Sequence, residues 1–387
     1  MKNDSKKKNL NNIIFGHFFI AVSTALASFF LAYFLKEKGL TILQIGFLFS
    51  LGIAAGGFLF SIVYSKIIKR IKFRTGFVVA VFVKSLQNLL LFLFPTSLGA
   101  MGSQASTDIG QKIENISEDV TIQHNLEKKE SRKISSRFLW NDGLGQSVGI
   151  IISIILITYL GFKYSFLIFF LIGFVPLFFY LGVNDKNRFK AKEKTKPPKL
   201  SRQLKLFAFS EMVYWLALSV SFELAITFLV TDRLQSSFAW IGYLFIGLYA
   251  SITITTILTQ KFLDKKDYTK TSIIGMFILF LSAIIILVST NIWIVLGSFI
   301  LEGIGAGIWV PSKTAFVWKL TQKENREKVS GYIFGFRGFV NAIGPFVGGV
   351  LVSLFGILAP FYFKAGLSLI VIAIYSYILI STKKNNF

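Results

Sequence analysis

The chain of 387 residues is 53% hydrophobic and only 16% charged, whereas soluble domains carry roughly 25% charged residues. Its mean hydropathy of +0.64 excludes an ordinary water-soluble domain. The formal net charge of +23 would suit nucleic acid only if the Lys and Arg side chains shared one exposed face. They lie instead in short breaks between apolar runs, so we expect the lipid bilayer as a partner and no nucleic acid.

The residues that common metal and catalytic sites need are scarce. The sequence has no Cys and only two histidines, His17 and His124, which predicts no disulfide, no metal site and no cofactor. It also lacks the phosphate-binding Gly-x-x-x-x-Gly-Lys-Ser/Thr loop and the zinc-binding His-Glu-x-x-His motif. We therefore expect neither an enzyme nor an ATP-driven pump.

Apolar runs of about 20 residues, each long enough to cross a hydrocarbon core of about 30 Å, recur along the chain. The first run continues to Leu35, so we expect an uncleaved spanning helix there rather than a signal peptide. Breaks at Lys, Gly, Pro and Asn clusters predict twelve helices in all. Their approximate bounds are 12–35, 41–65, 75–95, 97–121, 135–159, 163–183, 204–231, 238–262, 271–289, 291–318, 329–355 and 358–381.

The distribution of Lys and Arg predicts the orientation of these helices. With twelve crossings, the breaks on the outer side hold only Lys36, Lys38, Lys163 and Arg233, and the inner breaks hold the rest. Cytoplasmic loops carry this excess in membrane proteins. We therefore expect a multi-pass protein of the cell membrane with both termini in the cytoplasm, and we count the polar fourth segment as a crossing.

An internal repeat appears when the chain is compared with itself at a shift of 194 to 196 residues. Residues 45–49 match 241–245, and 129–132 match 323–326, each pair at the same place in its half. The repeat predicts two homologous halves of six helices.

These halves define the expected domain organisation. We expect an N-terminal bundle over 1–183, a charged cytoplasmic linker over 184–203 and a C-terminal bundle over 204–387. Parallel repeats of this kind place the substrate site near the bilayer midplane, between the halves.

The second half contains a series of glycine-rich and charged motifs: Gly303-Ile304-Gly305-Ala306-Gly307, Pro311, Lys323-Glu324-Asn325-Arg326, Gly331 and Gly344-Pro345-Phe346-Val347-Gly348-Gly349. This series resembles helix 10, the following loop and helix 11 of the major facilitator superfamily. The resemblance covers essentially the whole chain. It implies an all-α integral membrane fold of twelve helices in two pseudo-symmetric bundles, a small-molecule substrate and a monomer.

One departure from the family concerns its signature loop after helix 2, in which an acidic residue precedes several bases. This chain keeps the bases Lys66, Lys69 and Arg70 but has Ser65 at the place of the acid. A gate that needs this carboxylate is therefore not implied.

Ionisable groups inside the membrane cost at least about 2.5 kcal/mol on insertion scales, so each is a candidate site residue. At an offset of 194, Asp108 of the fourth helix falls on Glu302 of the tenth. We predict either proton coupling or structural hydrogen bonding for this pair. Lys112 follows Asp108 by one helical turn, which permits an ion pair within the helix.

Other candidates lie in the second half. Arg337 would bind an anionic substrate or neutralise Glu302, and both readings stay open. Glu223 would act as a gate or proton site, or line a vestibule. Asn341 is a candidate for the cavity wall.

Further charged groups are expected to have structural roles. We predict that Lys84 pairs with a carboxylate of the fourth helix, and that His17, which corresponds to Glu211 at offset 194, is a satisfied structural residue. Groups near the cytoplasmic helix ends are expected to be solvated or to extend towards water. They are Glu114, Glu118, Asp119, Glu211 and Lys313.

Together these features predict a secondary active transporter of a small organic solute. It would work by alternating access and be coupled to protons through Asp108 and Glu302. The alternatives are a transporter-like sensor and a lipid flippase on the same scaffold.

Overall fold

The computed structural model describes residues 2–66, 73–125, 128–183, 201–259, 268–321 and 326–384. Its regular structure in these ranges is helical, as expected. The helices are α1 Lys2–Glu37, α2 Ile42–Lys66, α3 Phe73–Leu93, α4 Ser97–Asn125, α5 Lys128–Ile172, α6 Val175–Leu181, α7 Arg202–Ser221, α8 Glu223–Phe228, α9 Ala239–Thr259, α10 Tyr268–Val288, α11 Ile292–Leu320, α12 Arg326–Phe355 and α13 Ala359–Lys384.

Ten helical segments of the described chain are long and apolar enough to cross a membrane. One of them, 136–181, has 46 residues, about twice the length that a crossing needs. Gly161 interrupts it with a φ of 70°, a conformation that glycine adopts without strain. The polar α4 is a continuous helix but is not among the ten. Counting α4 and dividing the long segment at Gly161 is consistent with twelve crossings.

The predicted seventh helix, 204–231, is not continuous, and this part of the prediction is wrong. The backbone leaves the helical conformation at Phe222, between α7 and α8, and a π-helical turn follows over Leu229–Arg233. The Ser221 hydroxyl donates a hydrogen bond to the carbonyl oxygen of Ala217. Such bonding of a serine to the preceding turn bends helices.

The chain divides into two compact units. Unit 1 comprises Met1–Lys38 and Leu51–Lys196, and unit 2 comprises Gly39–Ser50 and Pro197–Phe387. Within unit 1, α1 packs on α5 and α3 packs on α4; within unit 2, the corresponding pairs are α7 with α12 and α10 with α11. The same helix pairs therefore recur in both units. The predicted linker lies outside the described residues up to position 200, and the domain bounds stay a prediction.

Close backbone contact between α1 and α5 depends on glycine. A Cβ atom on Gly145 would lie 2.6 Å from the carbonyl oxygen of Phe18, and one on Gly149 would lie 2.5 Å from that of Val22. These separations are too short for any larger residue, so the glycines set the distance between the two helices. This distance brings His17 of α1 close to α5.

We expect Gly145→Ala to destabilise the protein by about 1–3 kcal/mol, because overpacking moves the backbone of α1. Gly297→Ala is the matched control, since a Cβ atom there meets nothing within 4 Å. The control is expected to be neutral or stabilising by up to about 1 kcal/mol. Thermal unfolding in detergent measures both effects, and equal stabilities of the two variants would contradict the contact.

Candidate functional site: two buried charge clusters

Unit 1 contains a group of charged side chains, here called cluster 1: His17, Lys84, Glu114, Glu118 and Asp142. Asp142 is the most exposed of them, with 34% of its side chain accessible. The Nδ1 atom of His17 on α1 lies 3.0 Å from Oε1 of Glu114 and 2.7 Å from Oε1 of Glu118, both on α4. Its Nε2 atom lies 3.6 Å from Oδ1 of Asp142 on α5. Four helices, α1, α3, α4 and α5, thus contribute to cluster 1.

Lys84 enters cluster 1 from α3. Its Nζ atom donates hydrogen bonds to Oε1 of Gln111 at 2.7 Å and to Oε2 of Glu114 at 2.5 Å. A Cβ atom on Gly110 would lie 2.5 Å from Cγ of Lys84, so this glycine makes room for the lysine stem. The predicted pairing of Lys84 with a carboxylate of the fourth helix is confirmed.

The expectation that the acids near the end of α4 are solvated is wrong for two of them. The side chain of Glu114 is 0% exposed and that of Glu118 is 12% exposed. Both side chains point from α4 towards α1 and α3 rather than towards water. The side chain of Asp119 lies outside the described residues.

Unit 2 contains a second group, here called cluster 2: Glu211, Trp215, Trp309, Lys313 and Arg337. The Nζ atom of Lys313 lies 2.6 Å from Oε2 of Glu211 and 3.9 Å from the ring centroid of Trp309. The guanidinium carbon of Arg337 lies 3.3 Å from the ring centroid of Trp215. Glu211 and Lys313 are therefore paired inside the unit, and the expectation that they extend to water is wrong.

Clusters 1 and 2 are related by the internal repeat, with their charges reversed. The pairs at offsets of 194 or 195 are His17 with Glu211, Glu118 with Lys313, and Asp142 with Arg337. Of these positions, unit 1 has one basic residue and two acids, and unit 2 has one acid and two bases. Only the first pair is identified from the sequence.

The predicted ion pair between Asp108 and Lys112 is confirmed, with a distance of 2.5 Å. The Asp108 side chain is 15% exposed and faces α2. A Cβ atom on Gly56 of α2 would lie 3.0 Å from the Asp108 carboxylate. Asp108 therefore packs against a neighbouring helix.

Glu302, the repeat counterpart of Asp108, is also paired with a lysine. Its Oε1 atom accepts a hydrogen bond of 2.6 Å from Nζ of Lys364 on α13, and both side chains are at most 5% exposed. Lys364 is not among the residues that the sequence predicts for the site. The reading in which Arg337 neutralises Glu302 is wrong, since Lys364 has this role.

The remaining candidates have fewer contacts. Glu223 is the first residue of α8; its carbonyl oxygen accepts a hydrogen bond from the Thr227 hydroxyl, and its carboxylate makes no hydrogen bond or ion pair within the described part of the chain. Asn341 is half-buried on α12. The bases Lys69 and Arg70 lie outside the described residues, as does the side chain of Lys66.

Residues Gly145 to Gly149 have the Gly-x-Ser-x-Gly spacing of hydrolase nucleophiles. The stretch lies inside α5, however, and the Ser147 hydroxyl donates to the carbonyl oxygen of Gly143. The exposed strand-to-helix turn that such a nucleophile needs is not formed here.

Removing one partner of the Glu302 pair should be costly. We expect Lys364→Met to destabilise the protein by about 3–5 kcal/mol, because it leaves a buried carboxylate without its cation. Lys364→Met/Glu302→Gln should recover most of this loss. Lys270→Met, at an exposed position of α10, is the control with the same substitution. Denaturant unfolding in detergent tests this, and a Lys364→Met variant as stable as the control would contradict the buried pair.

A sequence model described as Major Facilitator Superfamily matches residues 13–231 and 206–386. The chain belongs to the major facilitator superfamily. It is therefore a multi-pass membrane transporter, and the predicted family and fold class are confirmed. The two overlapping matches of the family model cover both halves of this superfamily member.

Individual proteins resemble this superfamily member in sequence or in fold. Multidrug resistance protein 2 of Bacillus subtilis (strain 168) is 34% identical over 131 residues, which are 33% of this chain and 32% of that protein. The match thus spans about a third of the relative's length. The human organic anion transporter MFSD10 (TETRAN) has a TM-score of 0.72 at 13% identity, covering 96% of this chain and 99% of that one. A POT family transporter in complex with 5-aminolevulinic acid has a TM-score of 0.73 at 14% identity, covering 97% and 96%.

Proposed function

We propose that this superfamily member is a secondary transporter that moves a small organic anion by alternating access and couples that movement to protons. The observation that supports the substrate class is the excess of positive charge in cluster 2. Among the described side chains, cluster 2 has two cations, Lys313 and Arg337, and one carboxylate, Glu211, which pairs with Lys313. A bound anion would balance this charge.

Arg337 is the residue best suited to bind the anion. It lies roughly three turns inside α12. No carboxylate of the described residues lies within ion-pair distance of it, and Glu211 pairs through Oε2 with Lys313. A planar guanidinium matches the two oxygens of a carboxylate and stacks on aromatic rings at the same time. Trp215 and Trp309 would contact an apolar, planar part of the same substrate.

Asp108 and Glu302 are the proposed coupling carboxylates. Each is held by a lysine, Lys112 in one unit and Lys364 in the other. Protonation of either carboxylate would remove its charge and release the lysine from the pair. Proton binding would thus break an ion pair within α4 in unit 1 and an ion pair between α11 and α13 in unit 2.

We further propose a monomer in the cell membrane with both termini and the linker 184–203 in the cytoplasm. The asymmetry of Lys and Arg along the sequence supports this orientation.

Binding and transport are tested in two steps. Purified protein is first screened by thermal unfolding with benzoate and its neutral isostere benzamide. A ligand at 100 times its dissociation constant stabilises a protein by about 2.7 kcal/mol, so aromatic carboxylates should raise the unfolding temperature and the amides should not. Stabilisation by neutral or cationic aromatics alone would contradict the anion.

Carboxylates that stabilise the protein are then tested in sealed vesicles preloaded with the unlabelled compound. Labelled carboxylate added outside should enter and accumulate transiently by exchange. Binding without exchange would indicate a sensor, and movement of lipid reporters instead of the carboxylate would indicate a flippase.

A further inference from the structure

We propose that cluster 1 is a binding site for one divalent transition-metal cation, with Nδ1 of His17, Oε1 of Glu114 and Oε1 of Glu118 as its ligands. These three atoms lie within 4.8 Å of one another, and His17 and Glu114 are buried. One imidazole nitrogen and two carboxylate oxygens are ligands that divalent first-row metals accept.

His17 cannot donate a hydrogen bond to both glutamates, so one carboxylate oxygen lacks a donor in the described part of the chain. Its Nδ1 atom can carry only one proton, yet two carboxylate oxygens lie within 3.0 Å of it. Oε1 of Glu118 is buried and is not aligned for a hydrogen bond with the described groups. A cation among the three atoms would contact both oxygens and the nitrogen at once.

The spacing of the three atoms fits such an ion. Ligand bonds of about 2.0–2.1 Å in a tetrahedron place the ligand atoms roughly 3.3 Å apart. The two distances from Nδ1, 3.0 and 2.7 Å, are a few tenths of an ångström shorter. Small rotations of the two glutamate side chains would open the site.

The surrounding residues are arranged as in known metal sites, where a second group orients each ligand. Nε2 of His17, on the side of the ring away from the glutamates, faces Oδ1 of Asp142 at 3.6 Å. A carboxylate behind a metal-bound histidine fixes the ring and its tautomer. Lys84 holds Oε2 of Glu114 and leaves Oε1 for the ion. The ring of Phe138 packs edge-on against the imidazole, with centroids 5.4 Å apart.

The formal charges of cluster 1 also call for a divalent cation. Among the described side chains of cluster 1, three carboxylates face one ammonium group, that of Lys84, while His17 is neutral when it binds a metal. One divalent ion makes the sum of these charges zero. In cluster 2 the position that corresponds to Glu118 in the repeat is Lys313. Its ammonium group pairs with Glu211, so a side chain supplies the cation there.

The ligand set limits the class of metal. The absence of thiolate and thioether ligands disfavours Cu(I), and an imidazole ligand disfavours Mg²⁺ and Ca²⁺, which prefer all-oxygen sites. The remaining class runs from Mn²⁺ to Zn²⁺. The sequence predicted no metal site, because its ligands are far apart in the chain and include a single histidine.

Cobalt binding to the purified, metal-free full-length protein tests the site, since Co²⁺ gives a visible absorption spectrum that reports its ligands. The affinity tag must contain no histidine. We expect saturation at about one Co²⁺ per chain, displacement by Zn²⁺ and no displacement by Mg²⁺.

Variants locate the ion. His17→Ala and Glu118→Gln should each weaken Co²⁺ binding by at least about tenfold. Asp232→Asn, which removes an exposed acid of unit 2 outside both clusters, should leave the Co²⁺ affinity unchanged. Glu118→Gln keeps the shape of the side chain and serves alone if His17→Ala does not fold. Absence of saturable binding, or wild-type affinity in Glu118→Gln, would overturn the proposal, whatever the outcome for organic anions.

Discussion

Vesicles with the combined variant Asp108→Asn/Lys112→Gln/Glu302→Gln/Lys364→Met are expected to exchange the solute but not to accumulate it uphill. Each substitution pair removes a carboxylate together with its lysine, so no buried charge is left unpaired. The variant then has no carboxylate at positions 108 and 302 that could bind a coupling proton. A pH difference of one unit supports about tenfold accumulation for one coupled proton, and this ratio should fall to about one in the variant.

The two charge-neutral pairs should also be tested separately, with Glu223→Gln as a control that removes a different carboxylate. Uphill accumulation at the wild-type level in the combined variant would contradict coupling through Asp108 and Glu302. Loss of accumulation in Glu223→Gln alone would assign the proton to α8 instead. Loss of exchange as well as accumulation would indicate that the pairs are structural.

Arg337→Gln is expected to weaken binding of an organic anion by about 10- to 100-fold. A hydrogen bond to a charged group contributes about 1.5–3 kcal/mol, and each 1.4 kcal/mol corresponds to a factor of ten. Arg337→Lys should give an intermediate loss, because lysine keeps the charge but not the planar fork that stacks on Trp215. Titration of the anion into purified protein measures the affinities.

The control for this series is Arg233→Gln, which removes another arginine of unit 2. Arg233 donates to the carbonyl oxygen of Ser289 and is not part of cluster 2. Its variant should bind the anion like the wild type. Wild-type affinity in Arg337→Gln, or an equal loss in both variants, would contradict the assignment of Arg337.

Much of the fold can be predicted from the sequence because each spanning helix corresponds to a long apolar run. Runs of about 20 apolar residues predicted the spanning helices, and charged or glycine-rich breaks separated them. The division of the seventh helix at Phe222 was missed, since residues around it are as apolar as those of unbroken helices. Hydropathy reports which segments enter the membrane but not the local backbone angles.

The candidate site was less predictable. The pair Asp108 and Lys112 follows from a spacing of one turn within one helix. The partner of Glu302 is 62 residues away on another helix, so no local spacing indicates it. Likewise, hydropathy gives the depth of Glu114 along α4 but not the direction in which its side chain points. The contact with His17 therefore required the packing of α1 against α4.

We propose that solute movement carries protons. The most direct test is to add the organic anion outside vesicles that have no initial pH difference and to record the internal pH with a trapped dye. We expect a change in internal pH that starts with the addition, depends on the anion and is absent in the combined Asp108 and Glu302 variant. Entry of labelled anion into wild-type vesicles with no change in internal pH would contradict it.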